Sequence, residues 1–284
     1  MPFRSRKVPQ VIRAFRRLLA LTVALAFTCA AACSGVPGVP GAAGKDPGLD
    51  APAEKDIAMR LVSSAENSTL DWKAQYGYIQ DIGDGRGYTA GLIGFCTGCG
   101  DLLHVVEAYT RARPVNPLEP YLSALRRAAA ARSASHSGLG NGFVRAWKQA
   151  ASDPRMRAAQ DAELNSQYFG PAVARAKEDG LGTLGQFCYY DALVMHGNGD
   201  APTSFGSIRR RAAAHARTPA RGGGERTYLA AFLDARVWAM KREPDHGDTS
   251  RVDTEQRVFL DEGNLGLRPP LDWKVYGDSY HIGG

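Results

Sequence analysis

The stretch Ser63–Gly94, SSAENSTLDWKAQYGYIQDIGDGRGYTAGLIG, constrains this chain more than any other. Ile57, Leu61 and Ala65 recur every four residues, with Ala58 and Val62 beside them, which predicts an amphipathic helix over Glu54–Glu66. Asn67 and Ser68 are natural terminators for it. Asp71–Ile82 then brings Trp72, Tyr76, Tyr78, Ile79 and Ile82, a β-prone run with partial alternation. Gly83-Asp84-Gly85-Arg86-Gly87 reads as a turn, because glycine reaches backbone angles that other residues avoid. Tyr88–Gly94 reads as the returning strand, so a small hairpin or sheet must sit directly beside the helix end.

Beyond it helical patterns dominate: Gly100–Ala112, Pro117–Ala131, Gly142–Ala151, Arg155–Phe169, Pro171–Asp179, Leu181–His196, Ser204–Arg217, Glu225–Glu243 and Ser250–Glu262. Loops 133–141 and 218–224 separate helical groups, and Trp273–Tyr276 adds a short strand. The sum is an α+β chain, mostly α-helical, with one small β element in its N-terminal third.

A net charge of +6 would suit a polyanionic partner, but its location argues otherwise. Seven of the 35 Lys and Arg (Arg4, Arg6, Lys7, Arg13, Arg16, Arg17 and Lys45) fall in residues 1–45, which hold no acid. The rest of the chain sets 28 basic against 29 acidic side chains, so no nucleic-acid partner is expected. The leader has a basic start, the apolar run Leu18–Ala32 and an A-x-A ending at Ala32, the organisation of a signal peptide over residues 1–32. Cys33 is an alternative site for a lipid anchor, and Arg16-Arg17 leaves Sec and twin-arginine export both open. No later stretch resembles a membrane span. Residues 33–50 are a Pro/Gly/Ala-rich linker, leaving 51–284 as the functional domain of an exported, extracellular protein, expected to be a monomer.

Two carboxylates in the opening stretch suggest chemistry. Hydrolysis of a glycosidic bond needs one protonated carboxyl to donate to the leaving oxygen and one ionised carboxylate to activate water or attack. Glu66 extends the Ala58–Val62 line and so points to the apolar side of its helix end, where desolvation disfavours its charged form. Asp84 lies in a polar glycine turn beside Arg86, which favours its ionised form. By spacing alone, a partly buried helix-end acid and an ordinary turn aspartate account for the same residues. A calcium loop lacks its DxDxDG periodicity.

The runs IAMRLVSSAENSTLDWKAQYGYIQDIGDGRGYTAGLIGFC, SASHSGLG, GQFCYYDALVMHG, PTSFGSIRR and DTSRVDTEQRVFL closely resemble bacterial chitosanases of glycoside hydrolase family 46. The resemblance runs in order from about Glu54 to Ile282. It implies a lysozyme-like fold of two mostly helical lobes with a small antiparallel sheet at a substrate cleft. It also implies inverting endo-hydrolysis of β-1,4-linked glucosamine polymers, with no cofactor and no metal. Carried over by motif, Glu66 of SSAENS is the general acid, Asp84 of GDGRGYT the general base, and Thr89 of the same motif holds the attacking water. Asp101 matches a substrate-binding aspartate, and Arg86, Ser68, Tyr78 and His196 are further cleft candidates. Asp191 follows Phe187 and Cys188 on an apolar face continued by Val194 and Met195, so it needs a cationic partner. Arg236 of FLDAR and Arg251 of TSRVD match arginines that link such an aspartate towards the catalytic base. The expected network therefore joins Asp84, Arg251, Asp191 and Arg236.

Cys96 falls where the family commonly has a cysteine, whereas Cys99 and Cys188 look like additions, so a Cys99–Cys188 disulfide is expected. A single CxxC offers no zinc site without further ligands. Two other functions use the same ingredients: a lysozyme or lytic transglycosylase acting on peptidoglycan, and a non-catalytic sugar-binding module.

Overall fold

The computed structural model describes residues 47–243 and 247–284. Residues 1–32, read above as a signal peptide, Cys33 and the expected linker as far as residue 46 lie outside the described residues. The linker's last residues are not a spacer. Gly48–Asp50 form a 3-10 turn, and Leu49 is fully buried, its amide donating to Gln186 Oε1 at 2.9 Å. An apolar side chain with a matching pocket and a satisfied amide docks despite its Pro/Gly-rich neighbours, so the folded body begins before residue 51.

Helix α1 (Pro52–Asn67) leads into a 3-10 segment, Trp72–Gly77, and then a three-stranded antiparallel sheet. Its strands are β1 (Ile79–Asp81), β2 (Tyr88–Ala90) and β3 (Phe95–Cys96). The β-prone reading of Asp71–Ile82 holds only at its end. Asp71 accepts the Ala74 amide at 3.1 Å and starts a helical turn instead, a local side-chain bond overriding the propensity of the aromatics. The sequence continues through α2 (Asp101–Ala112), α3 (Leu122–Ala131), α4 (Asn141–Ala150), α5 (Pro154–Leu164), α6 (Gly170–Glu178), α7 (Thr183–His196), α8 (Phe205–His215), α9 (Glu225–Met240) and α10 (Arg257–Asp261). A second hairpin, β4 (Leu271–Val275) with β5 (Asp278–Ile282), closes the described chain, where the sequence suggested one short strand.

Two separate apolar cores make two lobes. The smaller gathers Tyr88, Phe95, Leu102, Tyr109, Leu125, Phe143 and Trp147 from the sheet and α2–α4. The larger gathers α1, α6–α10 and β4–β5 around α7, in which every residue from Thr183 to Met195 is buried. A helix apolar on all sides is a core helix, which accounts for the weak amphipathic pattern of that segment. Two helices carry π-helical turns: Asn165–Phe169 joins α5 to α6, and Val252–Gln256 runs into α10. Such turns push side chains off the regular helical spacing, commonly at functional sites. Both bring polar residues to the region described next.

Candidate active site

Glu66 stands on the last turn of α1. That turn is fixed from below: Trp273 of β4 donates its indole N–H to Ser64 Oγ at 3.0 Å, and Ser64 donates to the Leu61 carbonyl at 2.7 Å. Ser68 ends the helix in the left-handed region at φ 52°. The Glu66 side chain keeps 12% of its surface, and its carboxylate accepts from Arg251 Nη1 at 2.5 Å. An apolar wall was expected there; a guanidinium occupies it.

Arg251 is fully buried and also grips Asp191, through Nε at 2.9 and 3.0 Å and Nη2 at 2.5 Å. The other side of Asp191 receives Arg236 Nη1 at 2.5 Å and the Gln256 amide at 2.7 Å. Gln256 Oε1 in turn accepts from Arg236 at 3.0 Å. Burial alone would push the Asp191 carboxyl up, but Arg236 and Arg251 outweigh it and hold it below the usual carboxylate range. The network of Asp191, Arg236 and Arg251 is therefore present, with one correction: it ends on Glu66 and not on Asp84.

Asp84 is satisfied locally. The turn carries Gly83, Gly85 and Gly87 at φ 73°, 79° and 79°, and a Cβ on Gly87 would fall 2.2 Å from Thr97 Oγ1. This backbone lets Asp84 accept the Arg86 amide at 3.0 Å and Arg86 Nε at 2.6 Å, with Nη2 beside it. A guanidinium two residues away chelates the carboxylate, and Arg251, anchored in the other lobe, has no part in it. The Asp84 side chain is only 4% exposed, which sets it apart from an ordinary surface-turn aspartate. Thr89, on the central strand β2 between Gln80 and Cys96, is fully buried, and its hydroxyl has no hydrogen-bond partner among the described residues.

Asp101 opens α2, where its Oδ1 accepts the Cys96 amide at 2.7 Å and the Leu102 amide at 2.8 Å. Burial pushes its carboxyl up to about 6 despite those two amides; Glu163 adds to the rise and Arg86 opposes it. Tyr168, on the π turn after α5, lies in the fields of Asp101, Glu163 and Arg86, and burial first of all drives its phenol up. Burial likewise drives the Tyr190 phenol of α7 up, with Asp191 and Glu66 adding to the rise and Arg251 opposing it.

The remaining candidates divide. Ser68 hydrogen-bonds with Tyr280 at the helix end, and Tyr78, half-buried, lies 3.5 Å from Gln80 Oε1. The His196 ring is fully buried, 3.4 Å from Glu243 and accepting from Arg236 Nε at 3.5 Å, which joins it to the arginine network.

The cysteine pairing is also corrected. Cys96 and Cys99 are joined, with Cα atoms 5.2 Å apart, and Cys188 is a buried free thiol in α7. Cys188 lies in the larger core, whereas the two bonded cysteines span one turn at the edge of the small sheet. Cys96, Cys99 and Asp101 also form a compact set of potential metal donors. With the two sulfurs bonded to each other the set reduces to one carboxylate, which does not fit a metal. A cavity of about 300 Å³ lined by Tyr109, Arg113, Gln149, Asp153 and Arg155 includes none of the candidate site residues. Sequence reasoning missed Gln256, Glu255, Glu163 and Tyr168. All four sit on or beside the π turns, whose phase no regular periodicity reveals.

The Glycosyl hydrolase family 46 model matches residues 60–271. A chitosanase from Streptomyces sp. is 63% identical over 235 residues, covering 83% of this chain and 84% of that protein, and one from Bacillus subtilis is 40% identical over 227 residues, covering 77% and 80%. Among solved structures, a chitosanase co-crystallised with substrate superimposes at a TM-score of 0.79 with 56% identity, covering 83% of this chain and 98% of that one. A Gynuella sunshinyii chitosanase in complex with chitotetraose gives 0.74 and 34%, covering 82% and 98%. With a family match over most of the described body and one fold throughout, the chain belongs to glycosyl hydrolase family 46.

Proposed function

We propose that the protein is an exported, monomeric chitosanase that cleaves β-1,4-linked glucosamine chains internally, with inversion at the anomeric carbon. One observation carries this reading: two sheltered carboxylates, Glu66 and Asp84, stand on different lobes, each held by its own arginine. Glu66 donates its proton to the glycosidic oxygen, and Arg251 Nη1 receives the negative charge it leaves behind. Asp84, aimed by Arg86, takes a proton from water attacking the opposite face, and the unpartnered Thr89 hydroxyl supplies a hydrogen bond to that water. An inverting pair must stand roughly 6.5–9.5 Å apart to admit the water, and placement on two lobes suits such a gap. Asp101, half-buried, pairs with a glucosamine ammonium. Export rests on the leader of residues 1–32.

A buried, arginine-held second carboxylate disfavours a one-acid transglycosylase, and a mere sugar-binding module has no use for a proton-donating Glu66. Product release from highly deacetylated chitosan and from peptidoglycan, measured for wild type, Glu66→Gln and Asp84→Asn, separates these activities. Glu66→Gln should lose about 10²–10⁴ of the chitosan rate. Retained activity would remove Glu66 as the acid, and anomeric NMR of early products showing retention would remove Asp84 as a base.

A further inference from the structure

Glu255 is the one acid in the buried network for which the mechanism above has no use. It lies on the π-helical turn Val252–Gln256, beside Gln256 and four residues after Arg251. It is fully buried, and neither carboxyl oxygen has a hydrogen-bond donor among the described residues. The donors around it are engaged elsewhere. Arg251 gives its nitrogens to Asp191 and Glu66; Arg236 turns to Asp191, Gln256, His196 and Met195; Gln256 gives its amide to Asp191. A carboxylate stripped of water and of donors is unfavourable, whereas the neutral acid is tolerated.

Charge counting points the same way. Once Glu66 has given up its proton, two guanidiniums face two carboxylates, Asp191 and Glu66, and a third anion at Glu255 would then leave an unpaired buried charge. The titratable groups around Glu255 are Cys188 and Asp191 from α7, Arg236 from α9, Tyr280 from β5 and Arg251 from its own segment. Strand β4 contributes the Lys274 carbonyl, bonded to Thr254, while the Lys274 side chain is exposed.

We propose that Glu255 is kept as a neutral carboxylic acid and acts as a positioning residue, leaving both arginines to Asp191 and Glu66. Burial first, then repulsion from Asp191, raises its carboxyl well above the ordinary value against the pull of Arg251 and Arg236. When it does ionise, as pH rises through its folded value, it competes for Arg251 and draws that side chain off Glu66.

The sign of the pH effect follows from linkage. Because the folded form holds the Glu255 proton more tightly than the unfolded chain, this residue's contribution to stability is complete below the unfolded value near 4.5 and declines as pH rises towards the folded value. Within that window the decline is up to about tenfold in the folding constant per pH unit. Glu255→Gln has the same shape and no proton to lose, so its melting temperature should gain on wild type steadily from pH 5 to pH 8, and its kcat should persist to higher pH. Glu255→Ala, which opens a void under the arginines, should lower kcat and melting temperature together, with Gln restoring both. A Gln–wild-type gap that does not change with pH, or a Gln variant as damaged as Ala, overturns the proposal. Should the variants fail to fold, the infrared band of a protonated carboxyl at pH 7, read in a Glu66→Gln background, decides instead: present supports, absent refutes. The kcat readout rests on Glu66 being the acid; the melting and infrared readouts do not, so the two readings fail separately.

Discussion

The Glu66 side and the Asp84 side solve one problem, holding a carboxylate in place, in opposite ways. Glu66 is held by Arg251, 185 residues away in sequence, and that arginine is itself clamped by Asp191 in the larger core. Asp84 is held by Arg86, two residues away, within a glycine turn on the edge of the small lobe. A long-range clamp makes catalysis and folding depend on the same buried charges, because breaking it strands them in a low-dielectric interior. Local chelation places the loss of its arginine on the Asp84 turn rather than on the larger core. The two carboxylates are therefore built with different penalties for failure.

Arg251→Ala should break this contrast most visibly. It leaves Glu66 without a cation and Asp191 with Arg236 and Gln256 alone, costing about 3–5 kcal/mol of stability. At about 2–4 °C per kcal/mol for a chain of this size, calorimetry should show a drop of roughly 10 °C alongside a fall in kcat. An unchanged melting temperature with normal activity would mean that the network supports neither.

Arg86→Ala should separate the two properties. Its ion pair with Asp84 is local in sequence, and Arg86 keeps 14% of its side-chain surface, so the stability loss should be smaller than for Arg251→Ala, while kcat falls about 10–100-fold as Asp84 loses its aim. A large melting shift without a rate effect would reverse the assignment of Arg86 from aiming to folding.

The smallest effect concerns Asp101. Burial raises its carboxyl to about 6, so it gains charge, and with it attraction for an ammonium, as pH rises through that value. Because the substrate amine titrates identically for both enzymes, the ratio of the wild-type KM for chitosan to that of Asp101→Asn should fall several-fold from pH 5 to pH 7. Identical pH profiles of KM would dissociate Asp101 from the ammonium.

Much of this was legible before any coordinates. The i, i+4 apolar line through Ile57, Leu61 and Ala65 placed α1 and left Glu66 on its final turn, and the three glycines required the turn that holds Asp84. The all-apolar face of Leu184–Met195 marked a buried helix and made Asp191 need cations. Resemblance along the chain supplied both arginines correctly. Their destination was misread, because a contact across 185 residues depends on how α1 meets the turn before α10, and nothing local encodes that. His196 carries the same lesson: its motif is local, but its partners Arg236 and Glu243 are 40 and 47 residues away. The Cys99–Cys188 expectation failed because pairing follows distance in space, and β3 sets Cys96 within one turn of Cys99.

Sequence by itself determined the elements and the reactive groups: a helix ending on an acid, a glycine turn carrying a second, and a core helix with one carboxylate too apolar in its surroundings to stay alone. Those follow from backbone preference and the cost of burying charge, which act locally. Tertiary structure alone decided who neutralises whom. The packing of two lobes, and two π turns that shift side chains off regular phase, turned Arg251 towards Glu66, left Asp84 to Arg86, and enclosed Glu255 where no donor remains.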